Sequence, residues 1–132
     1  MQQRIKILLI ILLSFFIFTY LYVFQQPHRD YIGEKANILL SSHELFVQYQ
    51  KDEELSNKAY LNKLIEVNGT VTSIEKSLSS INILLDNSLF CIFESNISNK
   101  YKEGDIIKIK GRCVGYDDIF SQVRLDQCVI ID

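Results

Sequence analysis

Eighteen consecutive residues, Ile7 to Phe24, carry no charge. As a helix they would extend about 27 Å at roughly 1.5 Å per residue, close to the thickness of membrane hydrocarbon. Arg4 and Lys6 precede the run, and Tyr20, Tyr22 and Phe24 stand at its far edge. A basic flank marks the cytoplasmic side of a span, and aromatic rings favour the membrane–water boundary. A cleaved signal peptide would need small residues after the apolar core. The exit Thr19-Tyr20-Leu21-Tyr22-Val23-Phe24-Gln25-Gln26-Pro27 is bulky, and no Cys follows to accept a lipid. The expectation is an uncleaved anchor over residues 7–24, a cytoplasmic tip over 1–6, and the remainder outside the cytoplasm.

This run divides the composition. The whole chain of 132 residues has a net charge of −2. Residues 25–132 carry twelve basic and sixteen acidic groups, a net of −4. An acidic domain of this size can build one modest core, and its charge argues against a generally basic nucleic-acid binder.

Residues 25–33, with Pro27 and Gly33, read as a tether. From Glu34 a helical spacing sets in: Ala36, Leu39, Leu40, His43, Phe46, Val47 and Gln50 recur at steps of three and four. Asp52-Glu53-Glu54 can open a second short helix, since acidic side chains suit the partial positive charge of a helix N-terminus. After Leu64 the period changes to two. Ile65, Val67, Gly69 and Val71 alternate with polar residues, then Ile81 to Leu85 and Leu89 to Phe93 follow around the turn Asp86-Asn87-Ser88. Gly69 within a strand suggests a bulge or bend. Asn96 to Lys102 is a polar connection that can be helical. A fourth strand carries Ile107, Ile109 and Gly111, and a last runs from about Gln122 to Ile131. Five strands with a break after the third predict a mostly β chain. One or two α-helices precede a five-stranded OB-fold barrel over residues 34–132, behind the N-terminal transmembrane helix. An SH3-like barrel is the competing topology.

Several stretches resemble the tRNA-anticodon-like OB-fold family of bacterial envelope proteins. They are Ala59 to Val71, Phe90-Cys91-Ile92-Phe93, Glu103 to Gly115, and Val123 to Ile130. The resemblance implies a non-catalytic envelope module over about residues 34–131. Such proteins are often lipoproteins or secreted, and the missing lipoprotein Cys is a departure from that pattern.

Outside the cytoplasm thiols tend to be oxidised. Cys113 and Cys128 fall on consecutive antiparallel strands, so a disulfide between them is expected, with Cys91 left over. It would close residues 114–127 and contribute about 3 kcal/mol. A bulge in the last strand must reconcile the two, because their parities differ. Cys91 is then a buried small hydrophobe, or the true partner of one of the others. No Cys-x-x-Cys spacing and no nearby His suggest a metal or redox centre, and no cofactor is expected. His28 lies in the tether, and His43 on the apolar stripe reads as a packed histidine. Asp117, Asp118 and Asp126 form only a weak pattern for a cation. No nucleophile, base and orienting group stand in a usable pattern, so no enzyme is expected.

The ligand candidates are Lys108, Lys110 and Arg112, alternating along the fourth strand, and the loop-tip residues Tyr116 and Phe120. OB-folds hold single strands with such basic grooves plus stacking rings, here offered by Phe90 or Phe93, Tyr101, Tyr116 and Phe120. Glu94, Glu103, Asp105, Asp117 and Asp118 are interspersed with the basic residues. The expectation is therefore a displayed module that binds a protein, peptide or glycan of the envelope, with nucleic acid the less favoured partner. Tyr116, Ile119 and Phe120 would either cap the barrel or contact that partner.

Overall fold

The computed structural model describes residues 1–24, 33, 35–94, 97 and 100–131. The expected tether, with His28, lies outside these residues except for Gly33, as do Asn96, Ser98 and Asn99 of the expected connection over 96–102. The chain divides into two compact units, Met1–Asp30 and Tyr31–Asp132.

The first unit is built on helix α1, Gln2–Phe24. Within it, Gln2–Tyr22 is long and apolar enough to cross a membrane. A helix that is apolar all round has no polar side to turn toward water.

In the second unit, strand β1 (Leu39–Ser41) leads into helices α2 (Ser42–Lys51) and α3 (Glu53–Tyr60). Strands β2 (Leu64–Lys76), β3 (Ile81–Leu85), β4 (Leu89–Phe93), β5 (Ile106–Asp117) and β6 (Gln122–Ile130) follow. Their order is β1-β2-β3-β4-β6-β5, and β2 also pairs with β5. Strand β2 does both jobs by dividing its length: residues 64–70 pair with β5, and residues 71–76 pair with β3. A bulge between Val71 and Ser73 accompanies the changeover and bends the strand. The result is a closed five-stranded OB-fold barrel with one added strand.

The helical reading from Glu34 fails at its start. Leu39 to Ser41 pair in parallel with Glu66 to Asn68 of β2, and the Glu66 amide donates to the Ile38 carbonyl at 2.9 Å. A sheet edge with unpaired backbone groups outweighs a helical spacing of leucines. Helix α2 begins after Ser41, whose hydroxyl caps the Glu44 amide at 3.1 Å. The helix therefore buries Ser42, Leu45 and Tyr49, while His43 is exposed and Val47 is 44% exposed. The second helix opens as expected, with the Asp52 carboxylate accepting from the Leu55 amide at 2.9 Å.

Leu45 and Tyr49 enter one core with Ile65, Val67, Ile83, Leu85, Phe93, Ile109 and Leu125, so α2 packs on the inward side chains of the barrel. Gly69 is required by a close approach: a Cβ there would lie 2.7 Å from both Asp86 Oδ2 and Ser42 Oγ. The Ser42 hydroxyl donates to Asp86, which also accepts from the Thr70 amide at 3.3 Å. This polar knot pins the β3–β4 turn to the start of α2.

Candidate binding site

Strand pleating separates inward from outward side chains. On β3 and β4 the inward set is Ile81, Ile83, Leu85, Leu89, Cys91 and Phe93, leaving Leu84 and Phe90 outward. On β6, Val123 and Leu125 point inward and Arg124 outward. Register then aligns the outward residues. Ser73 opposes Leu84, Leu84 opposes Phe90, and Phe90 opposes Arg124, one row across four strands. Glu75, Asp117, Phe120 and Gln122 complete a cleft of about 310 Å³ around that row.

Arg124 and Asp117 organise the cleft. The Arg124 guanidinium lies 5.3 Å from the centre of the Phe90 ring, in reach of a cation–π contact. Its Nη1 donates to Asp117 Oδ2 at 3.3 Å. The other carboxylate oxygen of Asp117 accepts from the backbone amides of Ile119 and Phe120, at 3.0 and 3.3 Å. One aspartate thus holds the cation on the strand and the turn that carries the aromatic. Ser121 takes a φ of 53° to complete the turn. Phe120 remains 67% exposed beside the cleft, and Ile119 at the tip is 87% exposed. The arrangement offers an apolar wall, a stacked cation and a carboxylate. It can hold one side chain, sugar ring or base with a polar group attached.

Lys108, Lys110 and Arg112 do not line this cleft. Lys108 is exposed, but Lys110 is only 6% exposed, flanked in register by Glu66 and Val129. Arg112 lies opposite Asp126 and donates to both of its carboxylate oxygens, at 2.9 and 2.5 Å. A two-point pair of this kind occupies the guanidinium with a neighbour on the same sheet. The three residues share a strand face without forming one solvated basic row. Alternation marks which side a residue faces; it does not show what covers it.

The two loop-tip residues part company. Tyr116 stacks on Tyr49, centroids 6.2 Å apart and planes 15° from parallel, and touches Phe46 at 6.2 Å. It joins the packing beneath α2, whereas Phe120 lines the cleft. Arg124 is the main residue that sequence reasoning left unremarked. Its signal was available: it stands between two inward aliphatics, seven residues after an aspartate that precedes a turn. Asp117, Asp118 and Asp126 do not converge, because Asp117 holds Arg124 and Asp126 holds Arg112. Among the described residues no cluster of three metal-ligating side chains occurs.

The expected bulge in the last strand is present, with a different consequence for the cysteines. Lys110 opposes Val129 and Arg112 opposes Asp126, so Gly111 faces both Gln127 and Cys128. Cys128 is turned into the barrel beside Cys91, while Cys113 sits elsewhere, its sulfur 3.3 Å from the Tyr49 hydroxyl. All three are free buried thiols, and the Cys113–Cys128 bond is not formed in this structure. Burial pushes the Cys113 thiol above its ordinary pKa, against the opposing pull of the Tyr49 bond. Burial likewise raises the Tyr49 phenol, and the Cys113 contact adds to it.

A second hollow, of about 400 Å³, lies where Asp118 meets the α2–α3 junction, among Tyr49, Gln50, Lys51, Asp52, Glu53 and Tyr116. It is a weaker candidate, since its aromatic rings are committed to packing and Asp52 to capping α3.

Among solved structures, the chain resembles one described as a "putative nucleic acid-binding lipoprotein" from Klebsiella pneumoniae subsp. pneumoniae MGH 78578. The likeness has a TM-score of 0.56 and covers 81% of this chain and 100% of that one. At 15% identity it shows the fold alone. It lends no support to the expectation against nucleic acid, which rested on charge. No curated protein matches the chain in sequence. The tRNA_anti-like family model matches residues 1–129, and the chain belongs to the tRNA_anti-like family.

Proposed function

We propose that the protein is a membrane-anchored, non-catalytic binding module, and that its OB-fold is displayed outside the cytoplasm with the N-terminus inside. The cleft of Phe90, Phe120, Arg124 and Asp117 takes an apolar or aromatic group of a protein, peptide or glycan partner. The observation that carries this reading is Phe120, a large apolar ring held in the open by a turn whose Ile119 and Phe120 amides donate to the Asp117 carboxylate. An exposed aromatic fixed by a tight turn lowers the entropy cost of binding. Glu75 and Asp117 beside Arg124 give the cleft a mixed charge, which suits a neutral or zwitterionic group better than a polyphosphate chain.

One feature favours a second reading. A cation stacked on one ring beside a second, exposed ring is also how OB-folds hold single-stranded bases. Under this reading the contact is the Arg124 cleft, not the row of Lys108, Lys110 and Arg112.

The experiment is a titration of the full chain in detergent micelles with short peptides, oligosaccharides and single-stranded oligonucleotides. The expected result is saturable binding of a peptide or sugar that weakens at least tenfold in Phe120→Ser and Arg124→Ala. Binding of the oligonucleotides that falls steeply with salt and is lost in the same variants would establish the second reading instead. Binding that is indifferent to both substitutions would remove the cleft from the account.

A further inference from the structure

We propose that Cys91 and Cys128 form a disulfide that ties β4 to β6 through the barrel interior, leaving Cys113 a free thiol. The two side chains are 0% and 3% exposed, and their thiols are hydrogen-bonded to each other. The backbone around Cys128 is arranged to bring it there. Gln127 takes a φ of 48°, the left-handed conformation that an extra residue in a bulge uses. That step turns Cys128 inward after Val123 and Leu125, where an unbroken alternation would turn it outward. Residue 111 must then be glycine, because a Cβ there would lie 2.7 Å from the Cys128 sulfur. The Ile92 amide, next to Cys91 in sequence, also bonds that sulfur.

The bond has a mechanical purpose at this place. Strands β4 and β6 pair in parallel only through Leu89, Phe90 and Cys91 with Val123, Arg124 and Leu125. Cys128 lies just beyond the last of these pairs. A covalent link there extends the shortest inter-strand seam of the barrel and closes residues 92–127 into a loop, which restricts the unfolded chain.

The chemistry is thiol–disulfide exchange. One thiolate attacks an external disulfide and expels one thiolate of the donor. The second thiolate attacks the mixed disulfide and expels the other. Two electrons and two protons pass from the protein to the donor, which leaves as two thiols. In the closed barrel burial holds the Cys128 thiol well above its ordinary pKa. The exchange therefore belongs to folding, before β6 docks. The compartment proposed above contains such donors, but the pairing itself rests on geometry.

The test is refolding of the reduced, denatured full chain into detergent micelles with a reduced and oxidised glutathione buffer. Alkylation under denaturing conditions and peptide mass spectrometry follow. The expected result is one alkylated cysteine, Cys113, and a linked peptide joining residues 91 and 128. The Tm should fall by several degrees on reduction. Cys113→Ser should keep the link, while Cys91→Ser and Cys128→Ser should each leave two alkylated cysteines. Three alkylated cysteines in the refolded wild-type chain, or a linked peptide containing Cys113, would overturn the proposal. Refolding in vitro makes the outcome independent of the side of the membrane, so its failure would not count against display outside the cytoplasm.

Discussion

Arg124 and Asp117 show how two residues can set a surface. The aspartate divides its oxygens between the guanidinium on β6 and the turn amides, so the charge of the cleft and the position of Phe120 depend on one carboxylate. Inside the barrel, Tyr49 and Cys113 form a different kind of pair, in which both groups are held neutral by burial. Each has a folded pKa raised above its unfolded value. The stability they contribute is complete below the unfolded pKa and is lost as pH rises. The urea midpoint should therefore be flat from neutral pH to about pH 8 and fall above about pH 9, as the unfolded chain releases protons that the folded chain retains. Tyr49→Phe with Cys113→Ala should flatten that alkaline fall. Gly69 makes a second residue-scale prediction. Gly69→Ala must displace Asp86 from Ser42, leaving a buried hydroxyl unpaired, and should cost about 1–3 kcal/mol in chemical denaturation.

At the scale of elements, the loop between β5 and β6 lines the cleft, whereas α2 packs into the core. Asp117→Ala should leave the core intact while speeding amide exchange at Ile119 and Phe120 roughly fivefold to tenfold, the effect of losing about 1 kcal/mol of hydrogen bonding. Equal speeding throughout β5 would mean that the carboxylate supports the barrel instead of the loop. The elements were legible to unequal degrees. Strands β3 and β4 have the bounds that alternation predicts, because short strands with one buried face carry their pattern in every residue. Helix α2 was misframed, since the spacing of Leu39 and Leu40 fits a helix and only the open edge of β2 makes them a strand. A bulge in β6 was expected in order to bring Cys128 to Cys113, yet the observed bulge, opposite Gly111, turns Cys128 toward Cys91 across the parallel β4–β6 seam, a contact that no local pattern announces. The cleft stayed hidden for the same reason. Leu84, Phe90 and Arg124 are neighbours only through register between three strands.

At the scale of the molecule, an apolar helix and a closed barrel occupy separate compact units of one short chain. By length and composition the helix is able to cross a membrane, and the proposed anchoring uses it so. Leu12→Arg, at the middle of Gln2–Tyr22, should cost about 3 kcal/mol of insertion and move the chain from the carbonate-resistant membrane fraction toward the soluble or degraded one. In the proposed function the barrel presents its outer cleft to a partner in its own compartment. Residue-specific photocrosslinking tests this most directly. A benzophenone amino acid inserts into C–H bonds of any organic partner within reach, so Phe120→p-benzoylphenylalanine probes the cleft, and Lys108→p-benzoylphenylalanine probes the exposed face of β5. The account predicts a discrete adduct in cells from position 120 that Arg124→Ala abolishes, and none from position 108. An adduct from position 108 alone, or one from position 120 that survives Arg124→Ala, would contradict it.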